Sequence, residues 1–321
     1  MKKILLSCFL TIIGMTMLFV TGTGYFIGNY AVHFGLERGT IEHPQDPPRA
    51  YALLMPPEAR VFTQPDYPAE DWNLTSFDGL TLAATHFSPH IPGNHKWAII
   101  VHGYGCTQQN SWYIAEHYLR EGYDVLTPDL RGAGKSEGRF LTLGYLESRD
   151  VVDWAKQIAA RDPDARIVMH GVSMGAATVM IASASDELPT QLVAAVEDCG
   201  YTGAYDLLTY QIRDSFGLPV FPAMPLMNWR CRAVAGFDLD DANPLLAVEH
   251  AKVPLLFIHG EKDVLVPPEM ADRLYESCRA PRKQLLYIPG AVHAAASQKD
   301  TDLYFNTVFG FVRPYVTQKN R

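Results

Sequence analysis

The sequence predicts an α/β fold, in which a mostly parallel sheet is covered by helices on both faces. Short apolar runs alternate with longer segments that carry apolar residues at helical spacing, and this alternation is typical of parallel sheets. One apolar run leads through a sharp, glycine-flanked turn at Ser173 directly into a small-residue helix. The chain has 321 residues, enough for one large domain with its own core.

The N-terminal segment, residues 1–28, predicts a membrane anchor. A pair of lysines precedes an apolar stretch that continues through Ile27 and is long enough to span a bilayer. A cleaved signal peptide, with small residues at Gly22 and Gly24, is the competing interpretation. Because lysines favour the cytoplasmic side, we expect a single-pass protein whose remaining chain lies outside the cytoplasm.

Residues 29–69 are rich in proline and predict an extended linker that lies over the following domain. The predicted domain covers residues 70–315, and its first two strands flank a hairpin signal at Asp78-Gly79. Further strands are predicted at 97–101, 124–127, 166–169, 192–196, 255–258 and 284–288, and helices at 108–120, 145–160, 176–182, 268–278 and 301–313.

Residues 201–250 interrupt this alternation with an excursion between two strands that is too long for a plain loop. Two aromatic, proline-rich clusters between Phe216 and Trp229 contain no charged residue. We expect these residues to form a lid in which Phe221 and Trp229 line the substrate pocket. A structural insertion without substrate contact is the alternative.

The turn at Ser173 predicts a catalytic nucleophile. It reads G-x-S-x-G between an apolar run and a helix, and such a turn holds the serine in a strained conformation at the edge of a sheet. A second G-x-S-x-G surrounds Ser136, but it lies in a polar loop with no strand running directly into it. We therefore expect Ser173, and not Ser136, to be the nucleophile.

A serine hydroxyl needs a base to take its proton, and the base is a histidine oriented by a carboxylate. Asp263 and His293 follow Ser173 in the order acid, then histidine, and each lies just past a predicted strand. The carboxyl ends of parallel strands meet at one edge of the sheet, so these side chains should converge there. Glu261 is the nearest rival for the role of the acid.

Developing negative charge on the substrate also needs hydrogen-bond donors. We expect one donor to be the backbone N–H of Met174, the residue after the nucleophile. The second should be the N–H of Tyr104, in the loop after the strand at 97–101. His102 in that loop is expected to be structural.

Together these motifs resemble those of α/β-hydrolase fold serine hydrolases. The matching segments are His102-Gly103, the run from Asp129 to Ser136, the turn at Ser173, the run from Gly260 to Asp263, and the run from Gly290 to His293. The chain is similar to bacterial membrane-anchored hydrolases of the serine aminopeptidase and lysophospholipase-like group. The resemblance implies an eight-stranded sheet and a Ser–His–Asp triad, and it leaves the substrate open.

We expect the chain to cleave a carboxylic ester with a lipid-like or aromatic acyl group, through an acyl-enzyme on Ser173, because the predicted lid is apolar. An aminopeptidase-like peptidase and an acyltransferase on the same triad are alternatives. A peptidase would need carboxylates near the lid for the substrate amine, and Asp198, Asp206 and Asp214 are candidates. A non-enzymatic binding module would predict a broken triad, whereas all three positions are filled.

No metal or cofactor is expected. Four of the five cysteines lie outside the apolar N-terminal segment, and none of these has the paired spacing of a zinc or thioredoxin-like motif. The formal net charge of −8 argues against a nucleic-acid partner. The expected partners are a small acyl substrate and, through residues 1–28, a membrane.

Overall fold

The computed structural model describes Met15, Gly22, Tyr25, Phe26, residues 28–39, Arg49, and residues 62–215 and 217–317. Most of the predicted anchor and about half of the predicted linker therefore lie outside the described residues. Within the described part of the chain, no helix is long and apolar enough to cross a membrane.

Eight strands form one sheet, as the family resemblance implied. They are β1 Ala69–Thr75, β2 Thr81–Phe87, β3 Lys96–Val101, β4 Asp124–Pro128, β5 Arg166–Val172, β6 Leu192–Asp198, β7 Leu255–Gly260 and β8 Lys283–Ile288. Their order in the sheet is β1-β2-β4-β3-β5-β6-β7-β8. The two pairs that involve β2 are antiparallel, and all other neighbouring pairs are parallel, so the predicted mostly parallel sheet is confirmed.

Helices cover both faces of the sheet, which is why the central strands are almost continuously apolar and buried. The sheet and the helices outside residues 201–250 are called the frame below. These helices are α1 Gln108–Arg120, α2 Tyr145–Arg161, α3 Met174–Ser183, α7 Pro268–Ser277, α8 Ala296–Lys299 and α9 Thr301–Val316. One core cluster contains residues of α2 and α3, including Trp154 and Val179. A second contains residues of α1 and α9, including Tyr118 and Val308.

The excursion predicted at 201–250, called the lid insertion below, is mainly helical. It contains α4 Ala204–Tyr210, a π-helical turn Gln211–Ser215, α5 Val220–Val234 and α6 Pro244–Val248, and it connects β6 to β7. The inward face of α5 carries Met224, Met227, Asn228 and Cys231, the spacing of one buried helical stripe.

Residues 28–39, called the strap below, lie against the lid insertion although the sequence predicted extended chain from residue 29. Residues 28–35 are helical, and Val32 and Leu36 are fully buried in the main core cluster. A Cβ atom at Gly28 would lie 2.8 Å from the carbonyl oxygen of Leu226. Because that oxygen belongs to the backbone of α5, the strap and α5 pack too closely for a larger residue.

Polar contacts fix both ends of the strap. Near its start, Arg230 Nη2 donates a hydrogen bond of 2.7 Å to Asn29 Oδ1. Near its end, the N–H of Leu141 donates to the carbonyl of Leu36 at 2.9 Å, and the guanidinium of Arg38 donates to the carbonyls of Gly134 and Ser136. The strap is therefore part of the folded domain.

Candidate active site

Ser173 occupies a strained turn between β5 and α3, with φ 58° and ψ −116°. A Cβ atom at Gly171 would lie 2.0 Å from the carbonyl oxygen of Gly175, and a Cβ atom at Gly175 would lie 2.2 Å from that of Val101. No real contact is so short, so both positions require glycine. The sequence pattern around Ser173 thus reflects the close packing of strand, turn and helix.

His293 connects Ser173 to Asp263. Its Nε2 lies 2.8 Å from Ser173 Oγ, and its Nδ1 lies 2.7 Å from Asp263 Oδ2. A carboxylate only accepts hydrogen bonds, so the proton of a neutral imidazole belongs on Nδ1 and Nε2 is left to accept from the serine hydroxyl. The structure thus brings the three predicted residues into the arrangement that activates a serine.

Asp263 is held by the backbone around it. Its side chain is fully buried, and Oδ1 accepts hydrogen bonds from the N–H groups of Leu265 at 3.0 Å and Val266 at 2.9 Å. Glu261 points elsewhere and accepts from the N–H of Gly290 at 3.3 Å. The geometry therefore selects Asp263 over its rival as the partner of His293.

The predicted oxyanion donors lie beside the nucleophile. Met174 is the first residue of α3, and N–H groups in the first turn of a helix have no acceptor within that helix. A Cβ atom at Gly103 would lie only 3.4 Å from Ser173 Cβ, so the loop that carries Tyr104 runs against the nucleophile. Tyr104 and Met174 both line the cavity that contains Ser173.

The other residues of these motifs have structural partners. His102 is buried, and its Nε2 accepts from the N–H of Leu130 at 3.0 Å; burial lowers its pKa. Ser136 is also buried, and its hydroxyl donates to the carbonyl of Asp129 at 2.6 Å and accepts from the N–H of Ala83 at 2.9 Å. Both residues hold loops together; the sequence predicted a structural role for His102 and, for Ser136, only that it is not the nucleophile.

Ser173 and His293 open into a cavity of about 940 Å³. The frame supplies polar groups to its wall, among them Asn110, Gln298 and Lys299. The strap and the lid insertion supply mainly apolar side chains, namely Leu36, Leu207, Leu208 and Met227. A wall of this kind suits a substrate with one apolar part and a polar centre.

The structure does not bring Phe221 and Trp229 to this cavity, contrary to the sequence prediction. Their side chains are 78% and 52% exposed, and neither belongs to the cavity wall. For Trp229 the reason is the orientation of α5, which turns Met227 towards the cavity and Trp229, two positions later, away from it. Phe221 lies near the start of α5 where the backbone is extended (φ −97°, ψ 133°), so the helix does not orient it. The sequence analysis missed Met227, Leu207, Leu208 and Leu36.

The hydroxyl of Tyr104, in the loop that follows β3, contacts the strap. Tyr104 Oη donates a hydrogen bond of 2.5 Å to the carbonyl of Gly35, and burial raises the pKa of Tyr104 well above its ordinary value. Gly35 and Leu36 themselves line the cavity. The strap therefore forms part of the cavity wall and supports the loop that carries a predicted oxyanion donor.

A further carboxyl group lies at the cavity wall. Asp198, the last residue of β6, is fully buried, and its Oδ2 accepts from the hydroxyl of Tyr304 at 2.8 Å. Its Oδ1 has no hydrogen-bond partner within the described part of the chain. Burial raises the pKa of Asp198 from its ordinary 3.8 to about 6, against the opposing hydrogen bond from Tyr304.

Replacing Asp198 with asparagine is expected to stabilise the protein at neutral pH. The raised pKa means that folding favours the neutral carboxyl, so its contribution to stability is present below about pH 4 and is lost as the pH rises through 6. Asp198→Asn should remove this loss, about 3 kcal/mol for a shift from 3.8 to about 6. Melting temperatures measured between pH 4 and 8 test this, and parallel curves for the two proteins would contradict it.

Comparison with known proteins supports a hydrolase fold. A model described as the alpha/beta hydrolase family matches residues 98–301, more than half of the chain. The protein YqkD of Bacillus subtilis (strain 168) is 28% identical over 238 residues, which cover 73% of this chain and 76% of YqkD. The monoglyceride lipase of Saccharomyces cerevisiae is 22% identical over 267 residues, which cover 68% of this chain and 83% of the lipase.

Similar solved structures also have names that describe hydrolases. The esterase Pf2001 of Pyrococcus furiosus is 26% identical, with a TM-score of 0.61, and the match covers 78% of this chain and 93% of the esterase. An acylaminoacyl peptidase of Pyrococcus horikoshii matches at 18% identity with a TM-score of 0.56, covering 79% of this chain and 42% of the peptidase. That second likeness shows a shared fold alone.

Proposed function

The chain belongs to the alpha/beta hydrolase family, and we propose that it hydrolyses carboxylic esters with an apolar acyl group through an acyl-enzyme on Ser173. The observation that carries this proposal is the hydrogen-bonded series from Asp263 through His293 to Ser173, with distances of 2.7 and 2.8 Å, at the wall of a large cavity. Its likeness to an esterase and to a monoglyceride lipase is consistent with this.

In the proposed mechanism, Ser173 Oγ attacks the acyl carbonyl while His293 Nε2 takes the serine proton. Asp263 keeps the Nδ1–H of His293 in place and stabilises the imidazolium. The N–H groups of Met174 and Tyr104 stabilise the negative carbonyl oxygen. His293 then protonates the alcohol as its bond to the acyl carbon breaks. A water molecule, deprotonated by His293, attacks the acyl-enzyme; the bond from Ser173 Oγ to the acyl carbon breaks, His293 returns the proton to Ser173, and the acyl group leaves as a carboxylic acid.

Asp206 and Asp214 of the lid insertion are paired with arginines, which favours an ester substrate over a peptide substrate. An aminopeptidase must pair the amine of its substrate with a carboxylate, but Asp206 binds Arg273 at 2.7 Å and Asp214 binds Arg213 at 2.8 Å. Neither aspartate lines the cavity. Asp198 does line it, but its carboxyl group is buried and accepts from Tyr304.

A substrate panel tests the proposal. The full chain is given 4-nitrophenyl esters of graded acyl length beside an aminoacyl-anilide panel, and a fluorophosphonate probe followed by peptide mass spectrometry identifies the labelled residue. We expect turnover of the esters, little turnover of the anilides and labelling at Ser173. Faster cleavage of the anilides would instead support the peptidase, and ester formation with an added alcohol in preference to hydrolysis would support the acyltransferase.

Met227→Ala is expected to change the preference for acyl length. Met227 lines the cavity, and a lost apolar contact with the acyl chain is worth about 1–3 kcal/mol, or roughly tenfold between neighbouring chain lengths. Trp229→Ala, on the same helix but exposed, is the matched control and should leave the profile for soluble esters unchanged. For each variant, the ratios of kcat/KM between esters of different chain length measure the preference for acyl length. A shifted preference in Trp229→Ala alone would contradict the assignment of the cavity wall.

For the N-terminus, we propose that residues 1–28 anchor the chain in a membrane with the hydrolase domain outside the cytoplasm. The support is the apolar sequence that follows Lys2 and Lys3. Fractionation of cells and protease treatment of intact, wall-stripped cells test this. A mature protein that begins near Gly24 and is recovered in the soluble fraction would show cleavage, and protection of the domain from protease would show the opposite orientation.

A further inference from the structure

Exposed apolar side chains concentrate around the strap and the lid insertion. Of the thirteen large hydrophobic residues that are exposed in the described part of the chain, eight lie in the N-terminal residues or between residues 201 and 250. They are Met15, Tyr25, Phe26, Tyr30, Leu218, Phe221, Trp229 and Leu246. Water-exposed apolar surface of this density marks a site of interaction.

The two elements that carry these side chains meet. The rings of Tyr25 and Trp229 lie 6.5 Å apart between centroids, in an edge-to-face arrangement. The guanidinium of Arg230 lies 4.4 Å from the centroid of Tyr25 and 5.4 Å from that of Trp229. Together with the close approach of Gly28 to Leu226, these contacts hold the end of the apolar N-terminal stretch beside α5. Phe26, next to Tyr25 in the sequence, and Phe221, in the same helix as Trp229, are exposed as well. We call Tyr25, Phe26, Phe221 and Trp229 the aromatic patch.

The connection to the N-terminal stretch indicates what covers the aromatic patch. The apolar run ends at Ile27, one residue before the strap begins, so a bilayer that holds this run must also lie next to the lid insertion. Tryptophan and tyrosine are enriched at the membrane–water interface, where their apolar rings and polar groups are both accommodated. A protein partner would not explain why the patch continues into a stretch long enough to enter a bilayer.

The charge on α5 also favours a lipid surface. The chain as a whole carries a formal net charge of −8, yet the only charged residues of α5 are Arg230 and Arg232. Cationic side chains near a lipid surface are attracted to anionic headgroups. Arg232 pairs with Asp238, so within the described part of the chain the cation of α5 that could meet such a headgroup is Arg230, beside Trp229.

We propose that the aromatic patch inserts into the interface of a lipid bilayer and that the acyl chain of the substrate enters the cavity from that bilayer. This inference rests on the ester hydrolysis proposed above and narrows its substrate class to acyl esters that partition into membranes. α5 joins the two parts of the proposal, because it carries Trp229 on its exposed face and Met227 on the cavity wall. Exposed valines beside the triad, Val264 and Val292, also belong to that wall.

The test compares one enzyme on two substrates. The full chain is reconstituted into phosphatidylcholine vesicles that contain phosphatidylglycerol. It is then assayed with soluble 4-nitrophenyl butyrate and with a long-chain fluorogenic acyl ester held in the same vesicles. The double variant Phe221→Ser with Trp229→Ser should lose at least about tenfold on the ester in the bilayer, because loss of a single partly buried aromatic contact already corresponds to about tenfold. It should retain its rate on the soluble ester.

A matched control removes two exposed apolar side chains elsewhere. Ile91→Ser with Leu303→Ser changes side chains that are 49% and 38% exposed and lie outside the strap and the lid insertion, and both rates should stay unchanged. Equal rates for the lid variant and the wild type on the bilayer ester, or a parallel loss on both esters, would overturn the proposal. A wild type that hydrolyses neither ester and is not labelled by fluorophosphonate would instead contradict the proposed function.

Fluorescence gives a second readout that does not depend on activity. Lipids brominated on their acyl chains should quench the emission of Trp229, and Trp229→Phe should abolish most of the quenching. Trp72, Trp97 and Trp154 are buried within the domain, and Trp112 is half-buried against Phe87, outside the strap and the lid insertion, so these four should contribute little. Emission that brominated lipids leave unchanged would overturn the proposal and favour a protein partner for the aromatic patch.

Discussion

Ser173→Ala is expected to lower kcat for ester hydrolysis by a factor on the order of 10⁶, the loss typical of removing a nucleophile from a serine triad. The reason is geometric: His293 Nε2 lies 2.8 Å from Ser173 Oγ, and no other hydroxyl group within the described part of the chain has a hydrogen bond to that nitrogen. Fluorophosphonate labelling should disappear with the activity, because the probe reacts with the activated oxygen.

Ser136→Ala is the matched control for Ser173→Ala, since it changes the serine of the second G-x-S-x-G. Its hydroxyl donates to the carbonyl of Asp129 and accepts from the N–H of Ala83 in β2, so we expect a loss in stability of about 1–3 kcal/mol. Below its melting temperature the variant should still be labelled at Ser173. Labelling that persists in Ser173→Ala and vanishes in Ser136→Ala would reverse the assignment.

Asp263→Asn is expected to lower kcat by about 10⁴, again with the fold retained. An amide can donate a hydrogen bond to His293 Nδ1, and it would then leave the proton on Nε2, where the nitrogen can no longer accept from Ser173. The contacts from Leu265 and Val266 to Oδ1 should keep the asparagine in place. kcat measured at pH values around neutrality quantifies the loss.

Glu261→Gln provides the comparison for Asp263→Asn. Glu261 is exposed and accepts only a long hydrogen bond from Gly290, of 3.3 Å, so we expect a change in kcat of less than about twofold, as for most surface substitutions. If Glu261→Gln is the damaging change and Asp263→Asn is mild, the identity of the triad acid is wrong.

The triad could be predicted from the sequence because each member sits at a position that local chemistry marks. Ser173 lies between glycines that the backbone contacts of β3 and α3 require, and Asp263 and His293 directly follow strands whose apolar runs are easy to recognise. Parallel strands share one carboxyl edge, so the order of the strands did not need to be known for these residues to converge.

The cavity wall could be predicted less well, because an apolar cluster does not say which of its side chains face inward. Phe221 and Trp229 stand out in the sequence, but the buried face of α5 is formed by Met224, Met227 and Cys231. Their spacing of three and four residues was the available signal. Pro219 and Pro222 before that segment, and Pro225 inside it, made a helix harder to recognise than a loop.

The packing of the strap could not be predicted from the sequence, for a different reason. Val32 and Leu36 are four residues apart, as on one face of a helix, but the prolines that follow made the whole of residues 29–69 resemble linker. The contacts that hold the strap come from residues far away in the chain, such as Leu141 and Arg230. Only the folded structure brings these groups together.

The position of the strap also determines which proteolytic cuts would leave the cavity wall complete. Cleavage near Gly22 or Gly24, as by a signal peptidase, would leave Gly28, Val32 and Leu36 joined to the mature protein, so the released and the anchored form would have the same cavity. A cut within residues 40–61 would separate the strap, and with it Leu36 and the acceptor of the Tyr104 hydroxyl, from the catalytic chain. We therefore expect a shed form of this enzyme to keep its whole cavity wall covalently joined when the cut falls before Gly28.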